Sequence, residues 1–424
     1  MRKLKICLLS YRGNPYCGGQ GVYLYYLSQA LAERGHEVTV LVGPPYPLAM
    51  DFAKVVHLPD QNFINKTGAS AIPRANPLSV FRPSDLAELM LSRLGSNPEM
   101  LVFSLRAYAW IRKATQAGQK FDVVHDNQSL GYGLLMIRKL GLPMISTVHH
   151  PLQVDRKEDL RQMPEFIKRV RRSLYYPLIM QKIVARRMDR VVTVSKISKN
   201  LISDWYKIPE SRIVEIPNGV DLNVFRRIPE VEKVPGRIIF VGSSEDRKKG
   251  IVYLLRALKR LDHNAHLNII DGRLNPERVY ARNLVKSMGL SGRVNFLEKI
   301  TREQLIIEYN RAQVVVMPSL FEGFGLPAIE AMACGAALVA ARAGGLAEVV
   351  GEGEDAGGIL VEPGDDRALG EAIEKLLGDP GLRETLAGQG RQRVVKKFGW
   401  DKVGGRLEQI YMEELLKRRG NHAS

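Results

Sequence analysis

Two successive series of short apolar runs, each alternating with longer helical stretches, constrain this chain more than any other feature. From residue 3 the order is KLKICLLS, a glycine-rich loop, the helix-like VYLYYLSQALAERG, then EVTVLV. Leu24, Leu27 and Leu31 fall on one helical face and Gly35 is placed to end that helix, so a parallel strand–helix–strand unit is the simplest reading. FDVVHD (121 to 126), MISTVH (144 to 149), RVVTVS (190 to 195) and RIVEIP (212 to 217) fit the same parallel sheet. A second series opens at RIIFVGS (237 to 243) and continues through HLNIID, RVNFLEK, QVVVMPS and AALVAA. Between the two lies PNGVDLNVFRRIPEVEKVPG, rich in turn residues and poor in periodicity, which marks residues 217–236 as a linker. The expected architecture is α/β, with two Rossmann-like doubly wound parallel-sheet domains at 1–216 and 237–400. A carboxy-terminal helix over 401–420 can cross back to the first. The 424 residues exceed what one hydrophobic core serves, which agrees with two domains. Open α/β sheets bind ligands beyond the carboxyl ends of their strands, so function is sought in the crevice that two such halves would share. Residues 62–113, with Pro73, Pro77, Pro83 and Pro98, read as an insertion that could shape an acceptor pocket or simply cover the surface.

The strongest local signal is SLFEGFGLPAIEAMACG (319 to 335), where a strand ends in a glycine-punctuated turn that feeds a helix with Pro327 near its start. Gly323 and Gly325, on either side of Phe324, let the backbone approach a ligand, and the helix start at Leu326 offers unpaired N–H groups suited to a diphosphate. Glu322 precedes the turn and Glu330 follows eight positions on. One could bind sugar hydroxyls and the other ribose, while capping and surface charge is the plainer reading. In FVGSSEDRKKG (240 to 250) a second strand ends at a loop in which Lys249, beside Arg247 and Lys248, brings an ammonium near the cleft. A fixed cation there would neutralise a leaving diphosphate as its charge grows, although an isolated RKK triplet is more often a solvated charge run. The CGGQG loop at 17–21 is a weak signal by itself, because tight turns also need glycine. His125, Asp126 and Asn127 end one strand and His149 and His150 another. Their spacing is not that of a metal centre, and no metal or other cofactor is expected.

In this order the GG loop, VSKIS (194 to 198), IPNGVDLNVF (216 to 225), FVGSSEDRKKG, EGFGLPAIEA and the closing FGW resemble the retaining glycosyltransferases of family 4 over nearly the whole chain. The resemblance implies a GT-B fold and transfer of a sugar from a nucleotide-diphosphate-sugar donor, with retention of anomeric configuration. It implies that Glu322 contacts the transferred sugar, that amides near Gly325 and Leu326 meet the phosphates and that Glu330 holds the ribose. Lys249 matches the family's lysine. Ser243 stands where the family usually has an arginine, leaving Arg247 or Lys248 to substitute. Gly19 falls in the loop that meets the donor from the opposite domain, Ile300 at the position whose backbone meets the base, and His149 at the histidine of a T-x-H strand end. Asn127 stands where many members have a histidine and could still bind a sugar hydroxyl.

Residues 156–190 carry 11 Lys or Arg against 4 Asp or Glu, with Phe166, Val170 and Leu174 along an apolar face. Such a stretch could lie on an anionic membrane and serve a lipid-linked acceptor, or pack on the sheet with a solvated basic face. A sugar or glycan acceptor fits the motifs equally well. No run approaches the roughly 20 apolar residues of a spanning helix, and three cysteines at no ligand spacing suit a cytoplasmic protein, at most peripheral on the membrane. The net charge of +17 alone would suit nucleic acid, but no reading module is recognisable and no nucleic-acid partner is expected. A GT-B sugar-nucleotide epimerase or a non-catalytic nucleotide-sugar-binding protein would share the architecture. GGQGVY does not fit the fingerprint of a nicotinamide dehydrogenase.

Overall fold

The computed structural model describes residues 2–14, 19–59, 83–93, 97–161, 169, 173, 175–271 and 279–423. The chain divides into two compact units. One comprises Met1–Val194, Ser198–Ile216 and Val403–Ser424, the other Ser195–Ile197 and Pro217–Lys402.

In the first unit β1 (Lys5–Ser10), β2 (Glu37–Val42), β3 (Lys54–His57), β4 (Val123–Asn127), β5 (Met144–Thr147), β6 (Arg190–Thr193) and β7 (Ile213–Glu215) form one sheet in the order β3-β2-β1-β4-β5-β6-β7. Every pairing is parallel. A parallel sheet is covered on both faces, so its central strands are continuous apolar runs rather than alternating ones, and β1 is buried from Ile6 to Ser10. The Gly19–Glu33 helix buries Leu24, Leu27 and Leu31 and ends before Gly35, whose φ of +87° suits glycine. The strand order reverses between β1 and β4, where Ser10 lies beside Asn127 at the carboxyl edge.

Residues 99–113 differ from the expected insertion. Residues 60–82 lie outside the described residues, but Glu99–Gln116 is a helix that sends Met100, Phe103, Ala107 and Ile111 into the unit's core. Its apolar face, not its prolines, decides its place.

The second unit holds β8 (Arg237–Val241), β9 (His266–Asp271), β10 (Val294–Glu298), β11 (Val314–Met317), β12 (Ala337–Ala341) and β13 (Gly358–Val361), parallel and ordered β10-β9-β8-β11-β12-β13. Its switch point lies between β8 and β11, so the loops that leave these two strands start side by side. Residues 217–236 lie along this unit. The Val220 N–H donates to the Phe398 carbonyl at 2.7 Å, Ile228 N–H to Asn310 Oδ1 at 2.8 Å and Val234 N–H to the Arg311 carbonyl at 2.9 Å.

The terminal helix Trp400–Ala423 belongs to the first unit from Val403 onward. Arg34 and Glu408 pair at 2.6 Å and Arg190 and Glu414 at 2.7 Å. Tyr411 is fully buried, with its hydroxyl 2.5 Å from His125 Nδ1, while His125 Nε2 lies 2.7 Å from Thr147 Oγ1. Burial pulls the His125 pKa down to about 3, so the ring is neutral at working pH. In the unfolded chain it protonates near its ordinary 6.5, so its contribution to stability is present above that value and is lost as pH falls toward 3. Tyr411→Phe leaves His125 Nδ1 without its partner and is expected to lower unfolding stability by about 1–3 kcal/mol. Urea unfolding followed by circular dichroism measures this, and an unchanged midpoint would mean that the bond adds nothing.

Candidate active site

In the second unit the loop after β8 is tied down at both ends. Ser244 donates to Asp271 Oδ2 at the end of β9 through its N–H at 2.7 Å and its hydroxyl at 2.9 Å. Gly250 has φ +71°, and a Cβ there would come 1.9 Å from the Pro318 carbonyl oxygen, so only glycine permits the approach of the loop after β11. The Leu320 N–H then donates to the Lys248 carbonyl at 2.7 Å. These contacts bring Lys249 Nζ to 2.6 Å from Glu322 Oε2, with side-chain exposures of 26% and 15%, and Ser319 Oγ donates to the same oxygen at 3.3 Å. The Gly345 N–H donates to the Glu322 carbonyl at 2.8 Å, and a Cβ on Gly344 would lie 2.2 Å from that carbonyl oxygen.

Beyond Glu322 the chain turns through Gly323 and Gly325, whose φ is +108°, into the Leu326–Ala333 helix with Pro327 in its first turn. Phe324 is buried edge-on to Phe398, so it packs the turn and leaves only its backbone to meet a ligand. Glu330 is half-buried and takes a 2.9 Å hydrogen bond from the Tyr309 hydroxyl. Burial pushes its carboxyl up to about 7, against the opposing pull of Tyr309 and Arg302. Ile300 is half-buried just past β10, after Lys299 at φ +56°.

In the first unit, Asn127 closes β4. Its Nδ2 donates to Ser10 Oγ at 3.2 Å and to the Gln20 carbonyl at 3.0 Å, which turns Oδ1 toward His149 Nε2 at 2.8 Å. An amide oxygen only accepts, so Nε2 carries the hydrogen and Nδ1 keeps its lone pair. Burial first, then His150 and His125, hold the His149 pKa down to about 3. The Tyr23 ring stands edge-on to it at 4.9 Å, and the His149 backbone N–H donates to Gln128 Oε1 at 2.7 Å. His150 faces Asp155 at 2.9 Å instead. Asp126 accepts from Ser129, Leu130 and Ser146, and serves the strand end. Gly19 is exposed at the start of its helix, while Cys17 and Gly18 lie outside the described residues. Among the described residues no group of three or more His, Cys, Asp and Glu side chains could hold a metal ion.

Residues 17–224 match Glycosyltransferase Family 4 and residues 224–393 match Glycosyl transferases group 1. An MMP alpha-(1->4)-mannosyltransferase of Mycolicibacterium hassiacum is 38% identical over 421 residues, which is 98% of this chain and 99% of that protein. The chain belongs to glycosyltransferase family 4. A D-inositol 3-phosphate glycosyltransferase of Xylanimonas cellulosilytica is 28% identical across 96% of this chain and 94% of its own length. Among solved structures, sucrose-phosphate synthase from Thermosynechococcus elongatus aligns with a TM-score of 0.73 at 26% identity, covering 97% of this chain and 99% of that one. HepE of Anabaena, solved with UDP-glucose, aligns at a TM-score of 0.70 over 97% and 100% of the two chains, and its 18% identity shows the fold alone. The two doubly wound units are those of a GT-B glycosyltransferase.

Within this glycosyltransferase the structure joins Lys249 to Glu322 and sets Gly325, Leu326 and Glu330 along one turn and helix. The other two basic residues go elsewhere. The Arg247 guanidinium lies over the Tyr280 ring at 4.9 Å and the Lys248 ammonium is 3.9 Å from Asp246. Tyr309, Ser319, Gly344 and Gly345 support the two glutamates and went unremarked in the sequence. A glycine pair ahead of an apolar turn, AGGLAE, was the one available signal for the last two.

Histidine nitrogen NMR tests the tautomer on the first unit. His149 is expected neutral with hydrogen on Nε2 from pH 8 down to about 5, well below its ordinary pKa of 6.5. Asn127→Asp, by setting a carboxylate opposite Nε2, is expected to raise that pKa.

Proposed function

We propose that this chain transfers a sugar from a nucleotide-diphosphate-sugar donor to an acceptor with retention of anomeric configuration. The observation that supports this most is the 2.6 Å pair of Lys249 and Glu322 at the mouth of the turn that Gly325 opens into a helix. Amides at the helix start and the Lys249 ammonium take the diphosphate, and Glu322 accepts hydrogen bonds from hydroxyls of the transferred sugar. Charge on the diphosphate grows as its bond to the sugar breaks, so a fixed cation binds the transition state better than the donor. Glu330 accepts from the ribose hydroxyls.

A double-displacement route would need a carboxylate on each side of the scissile bond, about 5 Å apart. Glu322 is tied to Lys249 and Glu330 to Tyr309, and both belong to one turn and helix. The departing phosphate oxygen therefore takes the acceptor proton from the face it leaves, which gives retention without a protein nucleophile. The lone pair of His149 Nδ1 accepts from a sugar hydroxyl, and Asn127 fixes the ring that offers it. The mannosyltransferase relative makes a mannosyl donor the first to test.

A screen of UDP-, GDP- and ADP-sugars by thermal shift is expected to single out one nucleotide, because a ligand bound only by the native state raises its melting temperature. With that donor, proton NMR of the product should show the donor's own anomeric configuration, and an inverted linkage would overturn the reading. Lys249→Ala is expected to lower kcat by about 10²–10³-fold, the range for loss of one transition-state charge contact.

The acceptor is proposed to be met at a membrane surface. No described helix is long and apolar enough to cross a membrane, but on Leu178–Ala185 the exposed Ile179 and Ile183 stand one turn apart, with Arg186 and Arg187 exposed beyond. That outward face has the composition of an interfacial helix, whereas Phe166, Val170 and Leu174 lie outside the described residues. Co-sedimentation with phosphatidylcholine vesicles should appear only when phosphatidylserine is added, and weaken in Ile179→Asp.

A further inference from the structure

We propose that Tyr309 is a positioning residue for donor recognition, holding Oε2 of Glu330 so that Oε1 alone is presented to the ribose hydroxyls. The inference rests on the reading that Glu330 meets the ribose. It goes further in assigning a function to a residue on a different helix, Arg302–Arg311, that no motif marks.

The geometry is specific. Tyr309 has no exposed surface, and its ring is fixed edge-on by Phe225 at a centroid distance of 6.4 Å. Its hydroxyl donates to Glu330 Oε2 at 2.9 Å, while the glutamate stays half-buried and so open on one side. A phenol has one hydrogen to give, and it goes to the carboxylate. One oxygen of Glu330 is therefore engaged from within the unit before any ligand arrives, and the side chain loses rotamer freedom that it would otherwise give up on binding. Pre-organisation of this kind acts on affinity rather than on the chemical step.

The same bond favours the ionised carboxylate, the form that can accept from two hydroxyls. Burial raises the Glu330 pKa to about 7, and Tyr309 and Arg302 of the preceding helix both work against that rise. Cys334, which caps the carboxyl end of the glutamate's own helix, lies near Glu330, with Lys233 and Arg391 near the cysteine in turn. Binding that needs the carboxylate is present above the free-state pKa and is lost as pH falls through it. Removing the Tyr309 donor raises that pKa and moves the loss to higher pH.

The test is isothermal titration of the full chain with UDP, GDP and ADP, followed by donor kinetics with the tightest of the three. Tyr309→Phe keeps the ring and its contact with Phe225. It is expected to weaken nucleotide binding and raise the donor KM about tenfold, or roughly 1.4 kcal/mol, with kcat within about twofold. Its affinity should fall off at a pH about one unit higher than in the parent chain, as loss of a hydrogen bond to the charged form predicts. Phe225→Leu disturbs the other face of the ring and controls for packing alone, and its pH profile should not move. A Tyr309→Phe protein with unchanged KM and pH profile, or one that loses kcat alone, would overturn the inference. Glu330→Gln separates the two levels. If it binds all three nucleotides as the parent does, the ribose reading fails. If it weakens binding while Tyr309→Phe does not, only the positioning inference fails.

Discussion

The close approach of two loops at the switch point of the second sheet governs everything on that unit. Gly250 sits against the Pro318 carbonyl where no side chain fits, and the Leu320 N–H closes on the Lys248 carbonyl. With the backbones fixed in this way, a lysine before the glycine and a glutamate after the leucine meet without either side chain having to search. The resulting pair is mostly shielded from water, so each partner without the other would be a poorly compensated charge. Under the proposed function, an arriving diphosphate and sugar must offer at least equal partners to both. That requirement selects ligands carrying an anion next to hydroxyls, and under the proposed function it is one source of specificity.

The first unit solves a different problem. It buries His125 and most of His149 in a chain that carries a net +17, and it does so by keeping both rings neutral. His125 uses its two nitrogens to join the terminal helix to the sheet, through Tyr411 and Thr147. His149 spends only Nε2 on the protein, because Asn127, held by Ser10 and Gln20, has its oxygen turned that way. Two histidines held neutral thus differ in what remains available. One is satisfied on both sides, and the other keeps an acceptor.

The alternation of apolar runs made the parallel sheets legible because strands covered on both faces cannot hide their hydrophobicity. Two strands escaped for local reasons. Lys54–His57 is a four-residue edge strand bounded by charge, and Gly358–Val361 opens on glycines that read as a turn. The Glu99–Gln116 helix was hidden by the prolines upstream of it. In the site, Glu322, Gly325 and Lys249 could be singled out because strand ends, glycines and helix starts leave a pattern along the chain. Tyr309 leaves none. Its bond to Glu330 spans 21 residues and two helices, and an aromatic residue at helical spacing is ordinarily core. The tautomer of His149 was equally out of reach, since it depends on three hydrogen bonds of Asn127 to Ser10, Gln20 and His149, which lie far from it along the chain.

The distribution of cations around the glycine turn bears on how diphosphate charge would be met with Ser243 where the sequence resemblance leads one to expect an arginine. Arg247 and Lys248 are adjacent in sequence, yet the short helical turn over Arg247–Lys249 points them apart, one onto Tyr280 and the other toward Asp246. Of the three, it is Lys249 that pairs with Glu322. Under the proposed function the remaining stabilisation of the diphosphate then falls to backbone N–H groups at the Leu326–Ala333 helix start, which are positioned by Gly325 and cost no side-chain entropy when they bind. A site built on one lysine and several amides discriminates by shape more than by total charge.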